Sequence, residues 1–324
     1  MKTFITGATG FIGTHVVKRL ATTDHKLVCL ARPSSDVSEL EKYGVTIIRG
    51  DVTDKDSLLE GMKGCQWVIN LANLYSFWEP DKRIFFDVNV TGTRNVMECA
   101  LETGVAKVVH ISTAGIYGKP AECPFCEDNA VGPERFSEYF RTKYEGDLIA
   151  WEMHEKKGLP LLMIYPVGVL GPGDPKATGK YIQDLINRRV PARVLENSVF
   201  TFVHVRDVAE AIVRAAEKED NIGEKYLVGK HQLSWREINQ MVSDISGVAL
   251  PKMRLPDFLT MFNARLLTLV ANLIKNPPLW NMAIDQIRTM KEGVMVEGSK
   301  AERELGISYT PIRVALEEAI ESYR

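Results

Sequence analysis

The run Thr6-Gly7-Ala8-Thr9-Gly10-Phe11-Ile12-Gly13 joins a short apolar segment, Phe4-Ile5, to a stretch of helical periodicity over about 11–22. No other feature of the chain narrows the choice of fold so far. Glycines placed there let the backbone turn tightly and approach a bulky anion, and Gly13 lets the new helix pack closely on the strand. The free N–H groups and the dipole at a helix start then favour negative charge, such as a pyrophosphate. A glycine-rich turn also occurs without any ligand; the strand–turn–helix context makes this one a dinucleotide-binding element. Gly7, Thr9, Gly10, Phe11, Ile12 and Gly13 are the residues expected to touch the cofactor.

The first half of the chain keeps the same rhythm. Lys26–Leu30, Val45–Ile48, Trp67–Ile69, Lys107–Ile111 and Leu161–Ile164 read as buried strands, with helical segments at about 36–43, 54–62, 89–103 and 134–157. Apolar strands with helical crossovers make a parallel sheet covered on both faces. The expected fold class is α/β: a Rossmann-type doubly wound parallel sheet with a smaller, mostly helical C-terminal substrate lobe. The loop Leu170-Gly171-Pro172-Gly173-Asp174-Pro175 divides a cofactor domain, 1–170, from a mainly substrate-binding lobe, 171–324, with 203–218 returning to the first as strand then helix. Loop 118–133, rich in Pro, Gly, Asp and Asn, is expected as a flap over the site.

The 324 residues carry a net charge of −2 with both signs interspersed, which marks neither a nucleic-acid nor an anionic-membrane partner. The five cysteines, mostly within apolar runs, read as reduced thiols of a cytoplasmic protein. Strand-like sequence begins at Lys2, leaving no room for a signal peptide, and no uninterrupted apolar run reaches the ~20 residues of a membrane span. Cys123-Pro124-Phe125-Cys126 has no second Cys/His pair at zinc-site spacing, so no metal is expected; incidental thiols and a redox pair stay open.

The second strand ends in Leu30-Ala31-Arg32-Pro33-Ser34-Ser35, with no acid until Asp36. An acid there would hold ribose hydroxyls, whereas Arg32 offers a charged fork suited to a 2′-phosphate. NADP is the expected cofactor and NAD the alternative, against the plain reading of Arg32 as a solvated loop residue. Tyr139 and Lys143 lie one helical turn apart in the 134–157 segment. A phenol titrates near ~10, so it handles protons at neutral pH only where a cation stabilises its phenolate, and Lys143 can supply that charge. Ligands of open α/β sheets bind at the carboxyl ends of strands. There Ser112 or Thr113 can polarise a substrate carbonyl, or simply satisfy backbone groups.

Taken in order, several motifs resemble those of the extended short-chain dehydrogenase/reductases, the NAD-dependent epimerase/dehydratase group. They are Thr6-Gly7-x-x-Gly10-x-x-Gly13, Gly50-Asp51-Val52-Thr53, Leu71-Ala72-Asn73, Asn89-Val90-Thr91-Gly92-Thr93, Ser112-Thr113, Tyr139-x-x-x-Lys143, Gly171-Pro172-Gly173 and Phe202-Val203-His204-Val205-x-Asp207-Val208-Ala209. The tail Lys300-Ala301-Glu302-Arg303-Glu304-Leu305-Gly306 is similar to that of dihydroflavonol-reductase-like and hopanoid-associated epimerase-like members. The resemblance implies Thr113 as the catalytic hydroxyl, Tyr139 as the acid/base and Lys143 as its partner on the nicotinamide ribose. It also implies Asp51 and Val52 at the adenine, Leu71, Ala72 and Asn73 along the ribose and nicotinamide, and Pro166 to Val169 at the carboxamide. It hints at a homodimer through 89–103 and 134–157, and it gives His204 no chemical role.

The chain departs from the nucleotide-sugar enzymes of that group. Where they carry Arg-Pro-x-Asn it has Tyr165-Pro166-Val167-Gly168, and Phe200 stands where they often carry an arginine. Losing an amide and a guanidinium removes groups suited to a diphosphate-bearing substrate. The expected reaction is NADP-dependent hydride transfer on a carbonyl/alcohol pair of a relatively apolar small molecule. The alternatives are an NAD(P)-dependent epimerase or dehydratase of a nucleotide-linked sugar, and a cofactor-sensing scaffold without chemistry. Residues 255–274 bear Leu255, Phe258, Leu259, Phe262, Leu266, Leu269, Val270 and Leu273 at helical spacing, open to three readings: lobe core, wall for an apolar substrate, or membrane-surface helix.

Overall fold

The computed structural model describes residues 1–324, the side chain of residue 177 excepted. The strands are β1 (Lys2–Thr6), β2 (Lys26–Ala31), β3 (Thr46–Arg49), β4 (Trp67–Asn70), β5 (Lys107–Ile111), β6 (Leu161–Pro166), β7 (Gly168–Leu170), β8 (Val199–His204), β9 (Lys225–Val228) and β10 (His231–Ser234). Seven of them form a parallel sheet of order β3-β2-β1-β4-β5-β6-β9. Every residue of β4, β5 and β6 is buried, as a sheet covered on both sides requires.

Alternation along each strand sends successive side chains to opposite faces. Ile5, Cys29, Ile69, Val109 and Ile164 share one core with the Phe11–Leu20 and Val205–Glu217 helices. Phe4, Val28, Val68, Val108 and Met163 share the other with the Lys55–Met62, Thr93–Thr103 and Glu138–Lys157 helices. The strand order reverses between β1 and β4. Crossovers therefore leave on opposite faces and open a crevice at the carboxyl ends, where such sheets bind ligands.

Some elements differ from the sequence reading. The strand of 203–218 starts earlier, as β8, and lies outside the large sheet, paired with β10 and β7; only the Val205–Glu217 helix packs on that sheet. β9, a short strand with no local mark of its role, fills the edge place beside β6. Loop 118–133 does not cover the crevice. Its Phe125 stacks on Tyr117 at 4.8 Å and pairs with Val296, while Glu127 accepts a 2.7 Å hydrogen bond from the Leu227 N–H of β9. The segment expected at 89–103 is helical from Arg83 and passes through a π turn at Asp87–Gly92. That turn aims Asn89 sideways, to accept from Leu74 N–H at 2.7 Å and to donate to Thr142 Oγ1 at 3.0 Å. Such π turns recur at functional sites; this one fastens the loop after β4 to the Glu138–Lys157 helix.

The Asp257–Ile274 helix faces the other way from two of its three readings. Thr260, Ala264 and Ala271 are its buried residues, while Phe258, Phe262, Leu266, Leu269 and Leu273 are exposed. Its small side chains approach the Ile284–Glu292 helix. It is neither lobe core nor cleft wall. The lobe core consists instead of Leu170, Ile182, Phe202, Trp235, Ile238 and Leu316 with their neighbours.

Candidate active site

A cleft of ≈ 610 Å³ runs along the carboxyl ends of the strands. One half is backbone-rich. Gly7, Thr9, Gly10, Phe11, Ile12 and Gly13 line it beneath the first helix. Gly7 has φ 67, and a Cβ there would fall 2.7 Å from Ala72 N; a Cβ on Gly13 would fall 2.1 Å from Gly7 O. Only glycine fits either place. Gly10 caps the Phe11–Leu20 helix with no side chain bonded to its free N–H groups, so these donors are open to an anion. Leu71, Ala72 and Asn73 after β4, and Pro166 and Val169 around β6 and β7, complete this half.

Beyond the glycine loop, Arg32, Asp51 and Val52 line the far end of the cleft. Arg32 is exposed. Arg49, absent from the sequence reading, fixes that turn by donating to Arg32 O and Ser35 O, each at 3.0 Å. Asp36 turns away to accept from Ser38 N–H at 2.9 Å. The residues present thus fit a dinucleotide, with Arg32 and Asp51 at this end of the cleft.

Thr113 and Tyr139 also line the cleft, with Ser112 between Thr113 and β5. Tyr139 is buried, with the Tyr75 ring edge-on at 5.1 Å and Phe77 at 6.4 Å. Burial above all, and then Tyr75 and Asp147, push its pKa above the usual phenol value, so it holds its proton. Lys143 does not reach the cleft surface. Lys143 is 1% exposed, and its ammonium donates to Ile111 O at 2.9 Å, behind Ser112 and Thr113. Burial pulls its pKa down, and the Asp147 carboxylate opposes that shift.

Asp147, unnoticed in the sequence, anchors a buried polar chain under the pair. Its Oδ2 accepts from Ser112 Oγ at 2.6 Å, and its Oδ1 lies 3.3 Å from His110 Nε2, a charge contact whose angle falls short of a hydrogen bond. Thr6 Oγ1 donates to Asn70 Oδ1 at 2.6 Å, which leaves the Asn70 amide N–H to donate to His110 Nδ1 at 3.0 Å. The histidine proton therefore sits on Nε2, towards Asp147. Burial first, then Lys143, holds His110 below its ordinary pKa, with Asp147 opposing.

The other half of the cleft is mostly aromatic and aliphatic, with Lys176, whose Nζ donates to Tyr75 O at 3.2 Å, and Asp174, Thr178, Gln286 and Thr289 as the polar part of the lining. Tyr75, Phe77, Ile84, Phe140, Phe200, Phe202, Trp235 and Met290 line it. A Cβ on Gly168 would fall 2.8 Å from Phe202 Cδ1, so this ring fills the space that a side chain at 168 would take. Among the described lining residues Arg32 is the one arginine, at the opposite end. Trp235 Nε1 and Thr289 Oγ1 are buried at this end without protein partners among the described residues. His204 lies outside the cleft, capping the Val205–Glu217 helix by accepting from Arg206 N–H at 3.0 Å.

The strand order, the glycine cradle and the crevice define the class: a dinucleotide-binding α/β fold of the Rossmann type. The model of the NAD dependent epimerase/dehydratase family matches residues 3–229. The chain is 28% identical to the "Putative dihydroflavonol 4-reductase" of Synechocystis sp., over 99% of this chain and 94% of that protein. It is 31% identical to sterol demethylase protein B of Methylococcus capsulatus, over 100% of this chain and 98% of that protein. Among solved structures, gox2253 is similar at 32% identity and a TM-score of 0.86, over 99% of this chain and 97% of that one. The UDP-glucuronic acid 4-epimerase of Bacillus cereus, solved with NAD, shares the fold at 21% identity and a TM-score of 0.80, over 100% and 99%. The chain belongs to the NAD-dependent epimerase/dehydratase family and is an NAD(P)-dependent enzyme of the extended short-chain dehydrogenase/reductase type.

Proposed function

We propose that this enzyme is an NADP-dependent reductase of a relatively apolar ketone or aldehyde, working in the reverse direction on the alcohol. The carrying observation is the substrate half of the cleft: of the positions where the resemblance puts an amide and a guanidinium in nucleotide-sugar enzymes, one is Gly168, backed by the Phe202 ring, and the other is Phe200. When bound, the cofactor supplies the hydride that reduces the carbonyl carbon. Tyr139, kept protonated by burial, gives its proton to the substrate oxygen as charge grows there. The Thr113 hydroxyl donates a hydrogen bond to the same oxygen. Lys143, which the family resemblance assigns to the nicotinamide ribose, stands behind Ser112 and Thr113 with its ammonium on Ile111 O, and in this reading its charge favours from there the phenolate that Tyr139 leaves behind. Arg32 favours a 2′-phosphate, on a turn that Arg49 holds in place.

The same proposal assigns cofactor binding to 1–170 with the helix of 203–218, and substrate binding mainly to 171–324, although β9 joins the large sheet from within the latter. It places the protein in the cytoplasm as a homodimer through 89–103 and 134–157, where Leu148 is exposed. Purified protein is assayed for NADPH oxidation against apolar ketones and, separately, for interconversion of UDP-sugars. Ketone-dependent NADPH oxidation is the expected result; sugar interconversion with NAD retained through purification would overturn the reading. Arg32→Ala is expected to weaken NADPH binding roughly 10–100-fold, the worth of one charged hydrogen bond, and to leave NADH binding unchanged. Equal effects on the two cofactors would remove the NADP assignment.

A further inference from the structure

The Asp257–Ile274 helix is 18 residues long with a mean hydropathy of 1.2, and 17% of it is buried. On a globular core such a helix turns its apolar stripe inward. Here Phe258, Phe262, Leu266, Leu269 and Leu273 face solvent, while Ala264, Ala271 and Thr268, whose Oγ1 accepts from Ile284 N–H at 2.8 Å, face the protein. The turn that follows adds exposed Leu279 and Trp280. A contiguous run of exposed apolar side chains on a surface marks an interaction site.

This patch adjoins the cleft. The Trp78 indole N–H donates to Asn272 Oδ1 at 2.9 Å, and Lys275 Nζ donates to Pro80 O at 3.4 Å, so the helix end is fastened to the loop after β4. From that loop Ile84, itself 40% exposed, and Phe77 and Tyr75 line the way in to Tyr139. Charge is sorted along the segment between Asp257 and Asp285, while Asp81 of the loop lies near Lys275 at one end. From Phe258 to Ile284 the chain has no acidic residue, and its cations are Arg265 and Lys275, both exposed.

We propose that this face lies in the surface layer of an anionic lipid bilayer, and that the cleft draws from it an apolar alcohol or ketone dissolved in the membrane. An apolar stripe flanked by cations, with a tryptophan and a lysine at one end, is the chemistry that seats a helix at a lipid–water interface. The helix lies in the surface and does not cross it: Arg265 stands mid-helix and the Ala264–Ala271 side is held against the protein. The substrate clause rests on the reductase reading; the binding clause does not.

Wild-type protein, without substrate or NADPH, is sedimented with phosphatidylcholine vesicles containing phosphatidylglycerol and with phosphatidylcholine alone. Partition onto the anionic vesicles is expected, tighter by about tenfold than onto neutral ones. Leu269→Glu combined with Leu273→Glu, at positions 57% and 75% exposed, is expected to lower it by about tenfold or more. That variant should reduce a water-soluble ketone at the wild-type rate and lose turnover only of a ketone dissolved in the vesicles. No sedimentation of the wild type, equal partition onto both vesicles, or a wild-type dimer that becomes monomeric in the variant without lipid binding would overturn the membrane assignment. An equal fall on both ketones would overturn the substrate route. Vesicle binding without any ketone reduction would leave the surface in place and overturn the reductase reading instead.

Discussion

Asp147 and His110 lie buried beneath the cleft, where Asp147 opposes the effect of burial on the Lys143 ammonium and accepts from Ser112. Removing Asp147 leaves a fully buried ammonium without its carboxylate and frees Ser112 Oγ. Leaving a buried hydroxyl without its acceptor costs about 1–3 kcal/mol. Asp147→Ala is therefore expected to lower the unfolding free energy read from a urea titration by that amount, and an unchanged value would contradict the role of the Ser112 bond. His110 gives a pH signature. Its folded pKa lies below 6.5, so between the two values the unfolded chain binds the extra proton. Its share of stability therefore rises with pH through that interval, is complete above 6.5, and is lost towards acid. The stability gap between wild type and His110→Asn should widen from acid to neutral pH; a constant gap would contradict this. Neither residue stood out in the sequence, where His110 sits within an apolar strand run and Asp147 among the charges of a long helix. The signal for Asp147 was its spacing, one further turn along the face of Tyr139 and Lys143.

At the scale of elements, what could be read locally was read. The glycine loop and the parallel strands follow from spacing and from apolar runs, and the sheet confirms them. Loop 118–133 was misjudged because turn-forming residues announce a loop but not its anchors. Those are Val296 and the β9 backbone, far away in sequence. The Asp257–Ile274 helix was left open because periodicity finds an apolar face but not its direction; that depended on small residues meeting the Ile284–Glu292 helix. β7 offers a test of the cleft's character. An asparagine at 168 must displace the Phe202 ring, an overpacking worth about 1–3 kcal/mol. Gly168→Asn is expected to lower the thermal midpoint and the turnover of apolar ketones without creating UDP-sugar binding. Unimpaired ketone turnover would show that Phe202 does not shape the substrate space.

For the whole molecule, the two sides of the cleft were unequally legible. Dinucleotide binding needs a few backbone-dictated residues at fixed spacing, and such residues survive as a pattern. The substrate half gathers Tyr75, Phe77, Phe202, Trp235 and Met290 from distant segments, with no spacing to betray them. The net charge of −2 likewise averaged away a surface from Phe258 to Ile284 that holds only cations. What unites fold, cofactor half and substrate half is the placing of one buried phenol at the seam between them. The most direct measurement is NADPH-dependent ketone reduction by Tyr139→Phe, with NADPH affinity measured on the same sample. Affinity should equal that of the wild type while turnover falls by ~10²–10⁴; turnover within a few-fold of the wild type would contradict the role given to Tyr139.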